Sequence, residues 1–341
     1  MKKGFTLIEL VVAVALLSMV LSFAGVIFNV SIESHRTAKA NAEIMRNLRA
    51  ITDQLNTDFA GIQTDAPLLI WFERQEPNDP NRYDQIMFFA NGDFQSIQLY
   101  NDREPDWEDG YRTISGNVAR IHYGQAQIGT AGNSEDPEDM DEQDRMLARR
   151  QHILTADEGA ENWPAESMSN FDFDRNEWYE HDSLSLAEWK TVEANEYDTI
   201  VEVCFDERPW IDMDDPQITF HKLMCEGVGS FAIQWAYWDD SEERFLWFPS
   251  EDPAGDGSKS PHFRWMGDKF GVLFNVPGTS FIFRWEFIED GDVKYDTAET
   301  FESSFYPKAL KFTFRLYDSK GIINEDGERG REFTHIVYLG G

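Results

Sequence analysis

Three rhythms of apolar and polar residues succeed one another along this chain. From Phe5 to Val30 the sequence is almost continuously apolar, 26 residues with one charged side chain, Glu9. As a helix this run is about 39 Å long, against ~30 Å for the hydrocarbon core of a bilayer, so it can span a membrane with some tilt. Ile44, Leu48, Ile51, Leu55, Phe59 and Ile62 then recur at spacings of three and four, one face of an amphipathic helix. Glu43, Arg46, Asn47, Arg49, Asp53, Gln54 and Asp58 are read onto the opposite side. The first proline is Pro67. The pattern predicts one helix from about Phe5 to Gly61, with Gly25 as a candidate bend. Its first half suits a membrane or a bundle of apolar helices, and its second half suits packing on a sheet.

Beyond Pro67 the period shortens toward two. Leu68–Arg74, Tyr83–Ala90, Phe94–Tyr100, Val118–Gly124 and Arg145–Thr155 are rich in aromatic and β-branched residues, with turn clusters between them. Asn91-Gly92-Asp93 is read as one such turn. Later strand candidates are Thr199–Phe205, Gly229–Trp238, Phe245–Phe248, Phe270–Asn275, Ser280–Phe287, Lys308–Tyr317 and Phe333–Leu339. Leu184–Asn195 suits a short helix. The expected fold class is α+β, one long N-terminal helix followed by antiparallel sheet.

Charge changes this picture in one region. The chain carries 63 acids and 30 bases, a formal net charge of −33. Such a surface repels phosphate backbones, which argues against nucleic acid as a partner. Ser134–Asp198 holds 20 acids and 5 bases, and most of it reads as an acidic surface insertion, with outer limits near 125 and 198. The two cysteines, Cys204 and Cys225, form no CxxC pair. Outside the cytoplasm a disulfide between them is chemically permitted, and two separate buried thiols are the alternative.

The chemistry-bearing residues lie at the start. Met1-Lys2-Lys3-Gly4 precedes the apolar run, and Lys2 and Lys3 place this end on the cytoplasmic side by the positive-inside rule. The run is too long for the apolar region of an ordinary secretory signal. A carboxylate inside such a span is costly and such residues are usually functional, although the place of Glu9 near the cytoplasmic edge reduces the cost and makes the carboxylate alone weak evidence. The string Gly4-Phe5-Thr6-Leu7-Ile8-Glu9 followed by an apolar helix resembles the class III signal of type IV pilins and type II secretion pseudopilins. That resemblance implies a prepilin peptidase that cuts between Gly4 and Phe5 and methylates the new N-terminus of Phe5. It also implies that Glu9 pairs with the terminal amine of a neighbouring subunit in a fibre. The expected segments are then a leader at 1–4, a transmembrane and fibre-core helix at 5–30, its amphipathic continuation at 31–62, and a periplasmic β-rich domain at 63–341.

Three further blocks narrow the resemblance: Asp84-Gln85-Ile86-Met87-Phe88-Phe89, the run Gly227 to Trp235 (GVGSFAIQW), and the run Tyr306 to Leu316 (YPKALKFTFRL). Their order is similar to the J-type minor pseudopilin of the type II secretion system. That likeness implies a non-enzymatic tip subunit that helps start the pseudopilus with I-like and K-like minor subunits and the major pseudopilin, at the inner membrane. The chain is longer than is usual in that family, and the acidic stretch supplies part of the surplus. Two other readings stand beside it: a minor pilin of a type IV pilus or DNA-uptake fibre, and a membrane-anchored binding protein or enzyme.

No catalytic signature stands out. GxSxG, HExxH, a P-loop and GxGxxG are all missing, and the seven histidines are scattered. No cofactor is expected. Asp172, Asp174 and Asn176 supply the first three ligand positions of an EF-hand-like calcium loop, but Glu177 and Ser183 stand where glycine and a bidentate glutamate belong. Chance spacing in an acidic stretch explains that match better. Trp235, Trp238, Trp247 and Trp285 are read as core, and Trp163, Trp178, Trp189 and Trp210 as the tryptophans to suspect of ligand binding.

Overall fold

A computed structural model of the chain describes residues 6–74, 81–97, 100–101, 111–130, 133–154, 180–182, 185–190, 208–213, 223–239, 243–249, 269–274, 279–287, 293–302, 306–325 and 328–339. The long helix is there. α1 runs unbroken from Leu7 to Ala60, 54 residues, and Gly61 caps its C-terminus. At ~1.5 Å per residue it is about 80 Å long. Its first half stands clear of the rest of the chain, with Leu7 to Val30 exposed. Its second half is docked. Ile44, Ile51, Leu55 and Phe59 are buried, as their spacing predicts, and Leu48 and Ile62 pack against the same core at partial exposure.

Among the described residues twenty strands and one short helix follow. They are β1 (Leu68–Glu73), β2 (Gln85–Gln95), β3 (Tyr100–Asn101), β4 (Tyr111–Arg112), β5 (Ser115–Gln125), β6 (Gln127–Thr130), β7 (Asn133–Glu135), β8 (Met146–Leu154) and β9 (His181–Asp182); the helix α2 (Leu186–Lys190); then β10 (Trp210–Asp212), β11 (Leu223–Glu226), β12 (Val228–Asp239), β13 (Arg244–Phe248), β14 (Lys269–Phe274), β15 (Thr279–Phe287), β16 (Val293–Glu302), β17 (Ala309–Leu316), β18 (Asn324–Glu325), β19 (Glu328–Arg329) and β20 (Arg331–Tyr338). Among the described residues a nine-stranded sheet runs β11-β8-β5-β2-β1-β14-β15-β16, with β9 beside β8, and a four-stranded sheet runs β13-β12-β17-β20. The pairings along both paths are antiparallel, and β9 joins β8 in parallel.

One apolar core lies between α1 and the two sheets. Ile86, Phe88, Ile121 and Tyr123 enter it from the large sheet, and Phe231, Ile233, Leu310, Phe312 and Phe314 enter it from the small one. The helix closes it: the Phe59 ring stacks on Phe88 at 4.2 Å and lies 5.5 Å from Phe312. Each such ring removes apolar area from water on both partners, the main favourable term in folding. β17 shows the expected alternation, with Leu310, Phe312, Phe314 and Leu316 buried and the residues between them less so.

The structure corrects several local expectations. Asn91-Gly92-Asp93 is no turn. It is a bulge inside the single strand β2, where the register against β5 shifts between Asn91 and Phe94. The end of α1 holds that bulge in place: Asn91 N donates to Gly61 O at 2.7 Å, Gln63 N donates to Phe89 O at 2.8 Å, and Ile62 bridges Ala90. Gly61 is needed there, because a Cβ on it would lie 2.0 Å from the Asn91 carbonyl oxygen. Trp189 is no surface platform. It is fully buried on the outer face of the large sheet, 5.4 Å from the Phe89 ring and under the Arg120 guanidinium. Trp238, expected in the core, is 45% exposed. Asp58, read as polar surface, is 4% exposed. Within the acidic stretch two expectations hold: the strand read at 145–155 is β8, between β5 and β11, and the short helix read at 184–195 is α2, which carries Trp189. The strand read at 199–205 lies outside the described residues.

Candidate functional site

The candidate site is the exposed start of α1. Thr6 has extended backbone (φ −77°, ψ 150°) and forms the N-cap. Its hydroxyl accepts from Glu9 N at 3.4 Å, while Thr6 N and Oγ1 donate to Glu9 Oε2 at 3.0 and 2.8 Å. This is a capping box, in which two otherwise orphaned backbone donors of the first turn are satisfied reciprocally. The carboxylate also sits at the positive end of the helix dipole. Among the described residues all the hydrogen bonds to it fall on Oε2 and no cation pairs with it.

The helix behind Glu9 is long and apolar enough to cross a membrane, with none of its most apolar window buried in this chain. Leu10, Leu17, Leu21, Phe23 and Phe28 are each more than half exposed. The two serines on this stretch turn their hydroxyls onto the helix itself, Ser18 Oγ donating to Val14 O and Ser22 Oγ to Ser18 O. What remains is an apolar rod with one carboxylate at its tip. Such a rod is satisfied by lipid, or by other apolar helices that bring a cation to the carboxylate.

The body grips the other end through polar groups that sequence reasoning missed. Asp58 accepts from Arg149 Nε at 2.6 Å and Arg149 Nη2 at 2.9 Å, and the Tyr123 hydroxyl donates to Asp58 Oδ2. Burial, then the Asp58 charge, pushes the Tyr123 hydroxyl well above its usual range, so it stays a donor. The signal was available: Asp58 is seven residues past Ile51 and three past Leu55, on their side of the helix.

A second buried ion pair ties the two sheets together. Asp84 bonds the Arg82 guanidinium and accepts from Glu73 N at 3.1 Å and Ile233 N at 2.7 Å. Burial pushes its carboxyl up to about 6, against the pull of Arg82 and the backbone donors. Arg82 O accepts from Phe231 N, and Phe231 pairs with Phe314 across β12 and β17. The three blocks singled out in the sequence, around Asp84, Phe231 and Phe314, therefore meet at one place.

The remaining expectations are quickly placed. Gly4, Phe5, Cys204, Asp172, Asp174 and Asn176 lie outside the described residues. Cys225 is a buried free thiol that lines a cleft of about 540 Å³ beside Glu43, Arg46 and Asn47 of α1. Burial, then Glu226, pushes it up to about 12, which makes it a poor nucleophile at neutral pH. Among the described residues no three histidine, cysteine or carboxylate side chains converge to hold a metal ion.

In comparison with known proteins, the model of the prokaryotic N-terminal methylation motif matches residues 1–25. No curated protein and no solved structure matches the chain. The matched residues include Glu9 and its Thr6 cap, and the motif implies a structural subunit processed by a prepilin peptidase and assembled with other pilin-type subunits. The chain thus carries a type IV pilin-like, class III signal at the head of an α+β architecture in which one long helix packs on antiparallel sheets.

Proposed function

We propose that this chain is a minor pseudopilin of the J type, a non-enzymatic subunit that helps to start the pseudopilus of a type II secretion system. One observation carries the reading: a carboxylate capped by its own helix, yet paired with no cation among the described residues, at the tip of an exposed apolar rod. Cleavage between Gly4 and Phe5 supplies the missing charge, because it creates a positive amine one residue before Thr6. The amine of a neighbouring subunit then reaches Glu9 once helix packs on helix. An ion pair in a low-dielectric bundle fixes axial register, since any slip leaves both charges unpaired. The N-terminus lies on the cytoplasmic side and the body in the periplasm, where I-like and K-like minor subunits and the major pseudopilin are its partners. The convergence of the three J-like blocks on the Arg82–Asp84 pair supports this choice among pilin-type subunits.

Mass analysis of the mature N-terminus tests the processing step. In cells with an active prepilin peptidase the protein begins at an N-methylated Phe5; in cells without the peptidase it begins at Met1. A chain that still begins at Met1 in the presence of the active enzyme rules the reading out. Deletion of its gene then separates the two fibre types: lost secretion with surface pili intact supports the pseudopilus, and the reverse supports a type IV pilus.

A further inference from the structure

The small sheet ends in an unusual edge. β20 pairs with β17 over eight residues without a register shift, from Ala309–Tyr338 to Leu316–Arg331. Leu339 N donates to Lys308 O at 2.9 Å, which fixes the alternation. The odd-numbered residues of β20 turn their main-chain groups to β17, and Glu332, Thr334, Ile336 and Tyr338 turn theirs outward. β20 is the last strand of its sheet, and among the described residues no bond meets the outward main-chain groups of Thr334, Ile336 and Tyr338.

Open edges invite strand pairing, and natural sheets blunt them with short strands, bulges, proline or charge. The other edges of these two sheets carry such devices. β11 has four residues and a bulge between Leu223 and Cys225, and Asn47 Nδ2 reaches Glu226 O at 3.5 Å. β13 has five residues. β16 carries Lys294, Asp296, Glu299 and Glu302, and its register against β15 shifts at Ile282. β20 has none of these past its first two residues. Phe333 to Tyr338 contains no acid, lysine, arginine or proline, in a chain with 63 acids.

Two of the outward-turned positions at the open edge carry large, bare apolar side chains. Ile336 is 39% and Tyr338 66% exposed. The Tyr338 ring lies 5.9 Å from Phe245, which lies 5.2 Å from Trp238. The strand is held rigid from beneath, with Val337 buried and the His335 ring 3.0 Å from Asn56 Oδ1 of α1. The edge therefore lies alongside the helix that the assembly reading packs into a fibre.

We infer that the β20 edge is a docking site for an extended strand of a different pilin-type subunit, which continues the four-stranded sheet across the subunit boundary. A row of free N–H and C=O groups recognises an extended backbone and little else. The incoming strand must place apolar side chains opposite Ile336 and Tyr338, two residues apart, on the face that carries Phe245 and Trp238. Charge selects a different subunit over a second copy, since two chains at −33 repel one another. The inference rests on the assembly reading above and deepens it by naming a surface and the chemistry of its partner.

Residue-resolved amide hydrogen exchange on the mature full-length chain tests it, in detergent alone and again co-assembled with the other pilin-type subunits. The amides of Phe333, His335 and Val337 exchange slowly in both states. Those of Thr334, Ile336 and Tyr338 exchange fast in the isolated chain and slow at least roughly tenfold on assembly, as their bonds form. Ile336→Pro removes an N–H that the β17 ladder does not use, so the fold is kept while docking is lost. Ile336→Lys provides the same test without a backbone change. Outward amides that exchange equally fast in both states overturn the inference. So does protection that appears in the chain alone as its concentration rises, which assigns the edge to a second copy. If Phe5 is processed and co-assembly depends on Glu9 while these amides stay fast, the edge inference fails and the functional reading stands.

Discussion

Two carboxylates on α1, Glu9 near its start and Asp58 near its end, meet opposite surroundings. Asp58 is buried and complete: an Arg149 fork and a Tyr123 hydroxyl, all from the same chain, account for both of its oxygens. Glu9 is exposed, and one of its oxygens takes hydrogen bonds only from its own N-cap. The difference separates two jobs on one helix. Asp58 fastens the helix to its own body, and its counter-charge is built in. Glu9 has no such counter-charge among the described residues, and on the proposed reading a neighbouring subunit completes it. A buried pair whose partner is removed is strongly destabilising, whereas an exposed carboxylate contributes to its own fold chiefly through local caps.

The largest expected effect follows at Asp58. Asp58→Ala strands Arg149, 17% exposed, together with a buried tyrosine hydroxyl. The expected loss is about 3–5 kcal/mol, read by denaturant unfolding of the full chain in detergent with tryptophan fluorescence. Arg149→Ala costs a similar amount, and the double variant costs much less than the sum. Additive losses would show that the two residues do not act as a pair, and the contrast with Glu9 would fall.

Asp84 sharpens the comparison as a buried carboxylate that belongs wholly to the body. Its carboxyl rises to about 6 in the folded state from an ordinary value of 3.8, so the folded chain binds its proton more tightly than the unfolded chain. The stability this group gives is complete below about pH 4 and declines as pH rises through 6, by on the order of 2–3 kcal/mol. Asp84→Asn lowers stability throughout, because the amide keeps one oxygen and strands either Glu73 N or Ile233 N, but flattens this part of the pH profile. An unchanged slope in that variant would assign the pH dependence to another group.

A smaller effect is expected where the helix meets the sheet. Gly61→Ala forces a Cβ against the Asn91 carbonyl oxygen, which is backbone and cannot swing away. A loss of about 1–3 kcal/mol is expected, with faster amide exchange at Asn91 and Gln63. A variant as stable as the parent would show that the end of α1 does not pin the β2 bulge.

Much of this architecture was legible because it is local. The three-and-four spacing from Ile44 to Ile62 gave the docked face of α1, and alternation gave β17 and β20 nearly to the residue. Asp58 was misplaced because a periodicity count scores every carboxylate as solvent-facing, although Ile51 and Leu55 put this one on their own side. Its partner Arg149 lies 91 residues away, beyond the reach of any local pattern. The Asn91-Gly92-Asp93 triplet has the composition of a turn, and only the docked end of α1 explains why the strand continues through it. β16 was missed because its ten residues carry four charges. At the site itself, Thr6-Leu7-Ile8-Glu9 spells a capping box, a local signal that the charge of Glu9 overshadows.

The smallest effect on the isolated chain is expected at Glu9, and it bears most directly on function. Glu9→Gln keeps the side-chain oxygen that accepts from Thr6, so the capping box survives and only the charge is lost. Glu9→Ala removes cap and charge together. If Glu9 acts merely as a helix cap, the glutamine variant behaves as the parent in every assay and the alanine variant alone is impaired. If Glu9 is the acceptor for a neighbour's terminal amine, both variants fold with unchanged stability of the body, both are processed at Phe5, and neither co-isolates with other pilin-type subunits above background. Glutamine offers a hydrogen bond but no charge, and inside an apolar bundle a lone ammonium opposite a neutral amide remains uncompensated. Co-isolation of Glu9→Gln at the parental level would therefore remove the need for an ionic partner and make Glu9 a structural cap.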